Sequence, residues 1–289
     1  MKLSALSPIL AAMAARDFPA AADACDALAI TEPADVINGW HYHLTTLARV
    51  LRTGVPHYSI FKIDGNSKLP FAAFSALPGK DFCPGAGDCL KWCYSFKAWR
   101  YPAAFARQVQ NTFLLSTLSG QAFIWKALED ISRTMTKRGT PDFTCRLYVD
   151  GDFRDITDVA FWAETMRYFA RVSFYGYSKS FALLLDAAFR GVSMPGNYTL
   201  NISAGHNADE LTVKAMMHLH YVRGHFKGVS IGRKVKSTDH GTRATNSALR
   251  DAYGAKAFTC PGKCGSCTPR GHACGSKAFT GVDIIIAIH

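Results

Sequence analysis

The sequence predicts an α/β fold, a parallel sheet that forms a partial or complete (β/α) barrel and is preceded by a small helical segment. From residue 57 onward, short runs of β-branched and aromatic residues alternate with longer stretches of helical periodicity, as in βα units. The strand-like runs lie near Gly, Pro, Asn or Asp, which are typical of turns. With 289 residues and 48% hydrophobic content, the chain can bury a large core. Periodicity alone does not decide whether the sheet closes.

The N-terminal residues predict a helical segment. Leu3, Leu6, Leu10 and Met13 recur at three- and four-residue spacings, which is typical of one face of an amphipathic helix. This pattern favours a helix over a secretory signal sequence. We therefore expect a helical segment over 1–54 and an α/β domain over 55–289. No apolar run approaches the roughly 18 residues that cross a bilayer, so no membrane partner is predicted.

The elements of the α/β domain follow from local patterns. The strand predictions cover residues 58–63, 71–77, 143–149, 172–177, 198–203, 228–232 and 282–288. The helix predictions cover residues 101–118, 156–170, 180–190 and 207–220. Thr157 and Asp158 offer capping oxygens for the second of these helices and Asn207 for the fourth. Pro102 falls in the first turn of the first helix, where its missing N–H costs nothing.

Seven of the nine cysteines form two tight sets. The first cysteine set, in CPGAGDCLKWCY directly after the strand over 71–77, is Cys83, Cys89 and Cys93. The second cysteine set, in the cysteine-rich segment 255–280, is Cys260, Cys264, Cys267 and Cys274. An odd total and close spacing argue against a disulfide framework and favour thiolates committed to metal in a reducing, cytoplasmic setting.

The two sets predict different metal sites. Three thiolates leave one ligand position open, which suits a 4Fe–4S cluster with a small molecule on its fourth iron, or zinc with an added histidine or water. Soft ligands and a C-x5-C-x3-C spacing unlike zinc fingers favour iron–sulfur at the first set. The second set can complete either a structural zinc site or a second 4Fe–4S cluster, and His272 is an alternative ligand there. The sets can also share one site, or be loop cysteines without metal.

Polar residues recur after the strand predictions, where the active-site loops of parallel α/β proteins gather. For catalysis or for positioning a ligand we expect Asp150, Asp152, Lys179 and His206. For cofactor binding we expect Gly151, Tyr177, Ser203 and Arg233. The alternative for the aspartates is a strand-to-helix turn with Asp152 or Asp155 as the cap.

The formal charge of +11 is concentrated between residues 221 and 250. That segment has Asp239 as its one acid and these seven bases: Arg223, Lys227, Arg233, Lys234, Lys236, Arg243 and Arg250. A local excess of positive charge indicates a polyanionic partner such as nucleic acid, because neutralising phosphates releases counterions. A solvated face or the lining of an anion-binding pocket are the alternatives.

The stretches CPGAGDCLKWCY, RLYVDGDF and VSFYGYSKSF, with the terminal CPGKCGSC, resemble the gene-product-88-like proteins of mycobacteriophages and plasmids over residues 60–289. That family has no settled activity. The layout is also similar to the radical S-adenosylmethionine superfamily, whose partial barrels carry three cluster cysteines after the first strand and a motif for the cofactor's amino group after the second.

The resemblance to that superfamily assigns roles by position. The first cysteine set corresponds to the cluster ligands, and Asp150, Gly151 and Asp152 to the amino-group motif, although the superfamily's usual spacing is C-x3-C-x2-C. Cys260, Cys264 and Cys267 have that spacing but precede one predicted strand, which implies an auxiliary site. We expect an iron–sulfur enzyme that binds S-adenosylmethionine or another small molecule. The alternative is a non-enzymatic, metal-stabilised nucleic-acid-binding protein of a phage or plasmid.

Overall fold

The computed structural model describes residues 2–63, 71–233, 235–236, 238–265, 267–268 and 271–288. Its α-helices are α1 (Ser7–Ala15), α2 (Phe18–Ala29), α3 (Trp40–Thr53), α4 (Pro102–Leu115), α5 (Leu118–Lys137), α6 (Ile156–Tyr168), α7 (Phe181–Phe189), α8 (Glu210–Met217) and α9 (Arg243–Tyr253). Its strands are β1 (Phe61–Lys62), β2 (Ala72–Phe74), β3 (Thr144–Leu147), β4 (Ser173–Ser178), β5 (Tyr198–Ser203), β6 (Val222–Val229), β7 (Ala257–Thr259) and β8 (Asp283–Ala287). None of the helices in these ranges is long and apolar enough to cross a membrane.

The described strands form one sheet in the order β1-β2-β3-β4-β5-β6-β8-β7. β1 is antiparallel to β2, and the other neighbours are parallel. From β2 to β6 the strands follow chain order, so right-handed crossovers place their helices on one face, as in a (β/α) barrel. Within the described part of the chain β1 and β7 are the edges and do not pair with each other. The predicted α/β class is confirmed, and the sheet is open.

The helix-covered face of the sheet holds the main core. Leu147, Phe174 and Leu200 point into it from the strands and are buried with Leu128 and Trp162 of the helices. The N-terminal helices join the same core through residues such as Ile9, Cys25 and Leu47. The predicted helical segment is therefore present and packs directly on the α/β domain.

The opposite face of the sheet is polar and aromatic. Arg146 pairs with Tyr175, Tyr175 with Thr199 and Tyr177 with Asn201, so these side chains share one face. The C-terminal cysteine-rich segment covers them. Its residues Ala273 and Cys274 belong to the buried cluster that includes Tyr175.

Several boundaries differ from the sequence predictions. β6 ends at Val229 and lies mostly before the predicted strand over 228–232, while β7, α5 and α9 were not predicted. Gly224, Gly228 and a buried arginine interrupt the apolar pattern of β6. Pro102 begins α4 as predicted.

The caps predicted at Thr157, Asp158 and Asn207 are wrong, whereas the alternative of Asp155 as a cap is confirmed. Asp155 caps α6, since its carboxylate accepts hydrogen bonds from the amides of Thr157 (2.9 Å) and Asp158 (3.0 Å). Asp209 caps α8 in the same way. Asn207 instead donates to the carbonyl of Pro84, because it belongs to the contact with the loop of the first cysteine set.

Candidate functional site

A cavity of about 280 Å³ lies at the C-terminal edge of the sheet, and all seven cysteines of the two sets line it. The first set reaches it from the loop after β2, and the second from the segment between β7 and β8. The cavity is also lined by most of the polar residues predicted from the sequence: Asp150, Gly151, Asp152, Tyr177, Lys179 and Ser203. The structure therefore brings together thiols from two distant stretches of the chain.

The loop of the first set is fixed by backbone contacts to the ends of β4 and β5. A Cβ on Gly85 would overlap the carbonyl group of Lys179, and one on Gly87 would lie 2.7 Å from the carbonyl oxygen of His206. The amides of Gly87 (2.9 Å) and Cys89 (3.2 Å) both donate to the carbonyl of Gly205. The glycines of CPGAGDC thus serve close backbone approach to the sheet.

The second set is held over the sheet by polar side chains of β5 and β6. Asn201 donates through Nδ2 to the carbonyl of Cys274 at 2.9 Å and accepts from Arg223 Nε at 2.6 Å. Arg223 is buried, and it also donates to the carbonyls of Phe279 (3.0 Å) and Val282 (2.5 Å). These bonds fix the segment at Cys274 and on its C-terminal side.

The cavity environment changes the acidity of the thiols. Burial raises the pKa of Cys260 to about 12 and that of Cys274 to about 11. Burial also raises the pKa of Cys83, where the Lys179 ammonium opposes the rise. These thiols are therefore protonated at neutral pH, and a metal that bound them would displace protons.

The two predicted aspartates have different roles. Asp152 is buried and accepts three hydrogen bonds, from Ser178 Oγ (2.7 Å) and from the amides of Lys179 (2.7 Å) and Phe153 (2.8 Å). Burial raises its pKa even so. Asp152 therefore ties the end of β4 to the loop after β3, so its carboxylate is already committed.

The Asp150 carboxylate, unlike that of Asp152, is not committed to hydrogen bonds with the described residues. Its backbone carbonyl accepts from Ala76 N at 3.0 Å, while its side chain lines the cavity and accepts no hydrogen bond from the described residues. Gly151 follows with a φ of +83°, and a Cβ there would lie 3.0 Å from the carbonyl oxygen of Leu77. A glycine is needed for this turn, which places Asp150 at the cavity wall.

Three cations line the cavity, Arg146, Lys179 and Lys263. Lys179 Nζ donates to Ser203 Oγ at 2.9 Å. Arg146 lies over the Tyr177 ring at 4.8 Å, and its Nε is buried without a hydrogen-bond partner in the described residues. Sequence reasoning missed Arg146. The available signal was a charged residue in the middle of an otherwise apolar strand.

Two predicted site residues lie outside the cavity lining. His206 packs its ring on Phe181, with centroids 4.8 Å apart, and its backbone bridges to Ala86. Arg233 is exposed and donates to Thr245 Oγ1 at 3.2 Å. The cavity geometry gives neither residue a contact with a ligand there.

His272 lines the cavity in a state that does not suit metal binding. Its Nδ1 accepts from the Gly275 amide at 3.1 Å, and burial lowers its pKa to about 4. The ring is therefore neutral, with its proton on Nε2. Since Nδ1 is occupied and Nε2 is protonated, the structure argues against His272 as a ligand in place of a cysteine.

The thiols line the cavity without converging on one point. Within the described ranges, no group of three or more His, Cys, Asp or Glu side chains is arranged to hold a metal ion. The backbone amide of Ala273 does donate to Cys267 Sγ at 3.3 Å, the kind of N–H to sulfur bond that supports metal-bound thiolates. The donor chemistry fits an iron–sulfur centre, and a bound cluster would require the thiols to turn inward.

The basic segment 221–250 does not form one charged surface. Arg223 is buried, and Lys227 pairs with Asp283 at 3.0 Å. Lys234 lies outside the described residues. The exposed bases are Arg233, Lys236, Arg243 and Arg250.

Comparison with known proteins gives one match. The family model described as Gene product 88 matches residues 57–280, a range that includes both cysteine sets. No curated protein and no solved structure shows a significant match to the chain.

Proposed function

The chain belongs to the Gene product 88 family, and we propose that it is an iron–sulfur enzyme of radical-S-adenosylmethionine-like architecture. The observation that carries the proposal is the single cavity lined by seven cysteines at the C-terminal edge of a parallel sheet. The thiols of the two sets, three in the first and four in the second, supply soft ligands for one or two 4Fe–4S clusters. Zinc at the second set is the alternative for that site.

The first set leaves room for a small molecule beside the cluster. Three cysteine ligands would leave one iron of a bound cluster without a protein ligand, and Asp150 offers in the same cavity a carboxylate that accepts no hydrogen bond from the described residues. That carboxylate suits an amine such as the amino group of S-adenosylmethionine. Lys179, held by Ser203, supplies a positive charge for an anionic group of the ligand. Asp152 positions Lys179, because its carboxylate accepts a hydrogen bond from the Lys179 amide at the end of β4.

A bound 4Fe–4S cluster supplies one-electron chemistry. The chain's own residues bind the small molecule, orient it and shield it from water. Asp150 and Lys179 do so through charge, and Tyr177 through its ring on the cavity wall. The substrate and the product are left to experiment.

Metal analysis after anaerobic reconstitution tests the iron–sulfur proposal. We expect iron and acid-labile sulfide in the full chain, and loss of one cluster when Cys83, Cys89 and Cys93 are all replaced by serine. Cys25→Ala and Cys145→Ala are matched controls, since both thiols are buried away from the cavity. A folded wild-type chain that binds zinc alone, or no metal, would contradict the proposal.

Addition of S-adenosylmethionine and a reductant then tests the ligand. We expect 5′-deoxyadenosine from the reconstituted wild type and at least a tenfold loss with Asp150→Asn, since a charged hydrogen bond is worth about 1.5–3 kcal/mol. A cluster-loaded chain that neither binds nor cleaves S-adenosylmethionine would restrict the proposal to another small molecule.

The second proposal is nucleic-acid binding, and it rests on the four exposed bases at and before α9. If these bases contact phosphates, affinity falls steeply with salt. Neutralising Arg233, Lys236, Arg243 and Arg250 together should then flatten the salt dependence. Unchanged affinity and salt slope in that variant would remove this proposal.

A further inference from the structure

Arg146 makes no ion pair with the described residues. It lines the cavity from the middle of β3, and its buried Nε has no hydrogen-bond partner among those residues. Its ionisable neighbours include Tyr94, Tyr175, Tyr177 and Cys264, all of which are neutral until they lose a proton. The Tyr177 ring gives the guanidinium a cation–π contact at 4.8 Å, but a buried N–H without an acceptor is still unfavourable.

Arg223, on the same face of the sheet, is an arginine whose donors do find hydrogen-bond acceptors. Its guanidinium donates to Asn201 Oδ1 and to the carbonyls of Phe279, Val282 and His225. The fold therefore can surround an arginine with acceptors, and it does so at β6. At β3 the Nε donor of Arg146 has no such acceptor.

The position of Arg146 points to one side of the cavity. It lies on the cavity wall with Cys264, and its guanidinium lies over the Tyr177 ring, which packs in one cluster with Cys260, Cys267 and Cys274. Lys179 lines the same cavity with Cys83 and Cys89 of the first set. Lys263 of the second set also lines the cavity, but it is exposed.

We propose that Arg146 is the charge partner of the metal–thiolate centre held by the second cysteine set. This inference rests on the proposed iron–sulfur function and adds a positioning and tuning residue to it. The free N–H of Arg146 donates to a sulfur atom of the occupant, and its charge offsets the negative charge of the thiolates. Reduction adds one more negative charge, so the nearby cation stabilises the reduced form and raises the reduction potential.

The test is a redox titration of the reconstituted full chain, monitored by electron paramagnetic resonance. Arg146→Met should lower the reduction potential of one of the two clusters by about 59 mV or more, a tenfold change for a one-electron couple. Arg146→Lys restores the charge and should recover most of the shift. Arg138→Met, at an exposed arginine after α5, is the control and should leave both potentials unchanged.

A stability measurement on the metal-free chain separates this role from a structural one. Because Arg146→Met removes an uncompensated charge, the metal-free variant should unfold at the same temperature as the wild type or above it. A lower unfolding temperature, or a variant that fails to fold, would assign Arg146 a structural role and overturn the inference.

The redox titration distinguishes failure of the proposed function from failure of the inference about Arg146. A wild-type chain without clusters would refute the proposed function itself. Clusters of unchanged potential in Arg146→Met would refute the inference and leave the proposed function standing.

Discussion

Gly85 lies where the loop of the first cysteine set crosses the end of β4. The glycine has no side chain, so its backbone touches the backbone of Lys179 and Ser180. Lys179 and the thiols of the first set line the cavity near this contact, so Gly85, together with Gly87, determines how close the loop comes to the sheet.

We expect Gly85→Ala to destabilise the fold by about 1–3 kcal/mol, because the added methyl group overlaps backbone atoms that cannot rotate away. The measurement is urea unfolding. Gly196→Ala is the matched control, since its Cβ would meet one atom within 4 Å, the mobile Lys277 Nζ at 3.9 Å. Equal stability changes in the two variants would show that the loop does not need the close approach.

Asp158 makes stability depend on pH. Burial raises its pKa from 3.8 to about 7, so the folded chain holds a proton that the unfolded chain releases. Stability therefore falls as pH rises through this range, by up to an amount on the order of 4 kcal/mol. The amide of Arg154 donates to this carboxyl group at 3.2 Å, a bond that an asparagine oxygen can also accept.

We accordingly expect Asp158→Asn to stabilise the chain at pH 8 and to change little at pH 4, as measured by urea unfolding at both values. Asp142→Asn is the control, because Asp142 is exposed and its pKa is lowered by Arg171. A stability difference between Asp158→Asn and wild type that is the same at both pH values would contradict the assignment.

At the scale of elements, the segment from β7 to β8 forms one wall of the cavity because β5 and β6 hold it. Arg223 and Asn201 together bond to three carbonyls of this segment, those of Cys274, Phe279 and Val282. The position of the second cysteine set therefore depends on two side chains of the sheet.

Arg223→Met should release this segment while the rest of the sheet stays folded. Hydrogen bonds from charged groups are worth about 1.5–3 kcal/mol each, so amide exchange across residues 273–282 should accelerate at least tenfold. Hydrogen–deuterium exchange measures this, with Arg250→Met as the exposed control. Unchanged protection of the segment would show that other contacts hold it.

At the scale of the whole molecule, local patterns predict the sheet better than they predict the site. β5 has the predicted bounds because its run YTLNIS contains no glycine or proline that would break the strand pattern. β6 was misplaced because Gly224, Gly228 and the buried Arg223 break its apolar pattern. The polar residues after β3, β4 and β5 were predicted to converge at one edge, and six of them line the cavity.

The sequence left a shared site for the two cysteine sets as one alternative and could not decide whether they meet. Their meeting depends on the C-terminal segment folding back over the inner face of the sheet, through hydrogen bonds between residues far apart in the chain. Asp150 and Asp152 look equivalent in the sequence, and their difference lies in tertiary partners. His206 and Arg233 follow β5 and β6, yet neither lines the cavity, because His206 packs on Phe181 and the exposed Arg233 donates to Thr245.

The most direct test of the central claim is an anomalous-scattering map at the iron absorption edge, from crystals of the anaerobically reconstituted chain. The account predicts iron peaks inside the cavity, bounded by Cys83, Cys89 and Cys93 on one side and by the second cysteine set on the other. Zinc as the sole metal in that cavity, or a metal-free cavity in a chain that has taken up iron elsewhere, would contradict it.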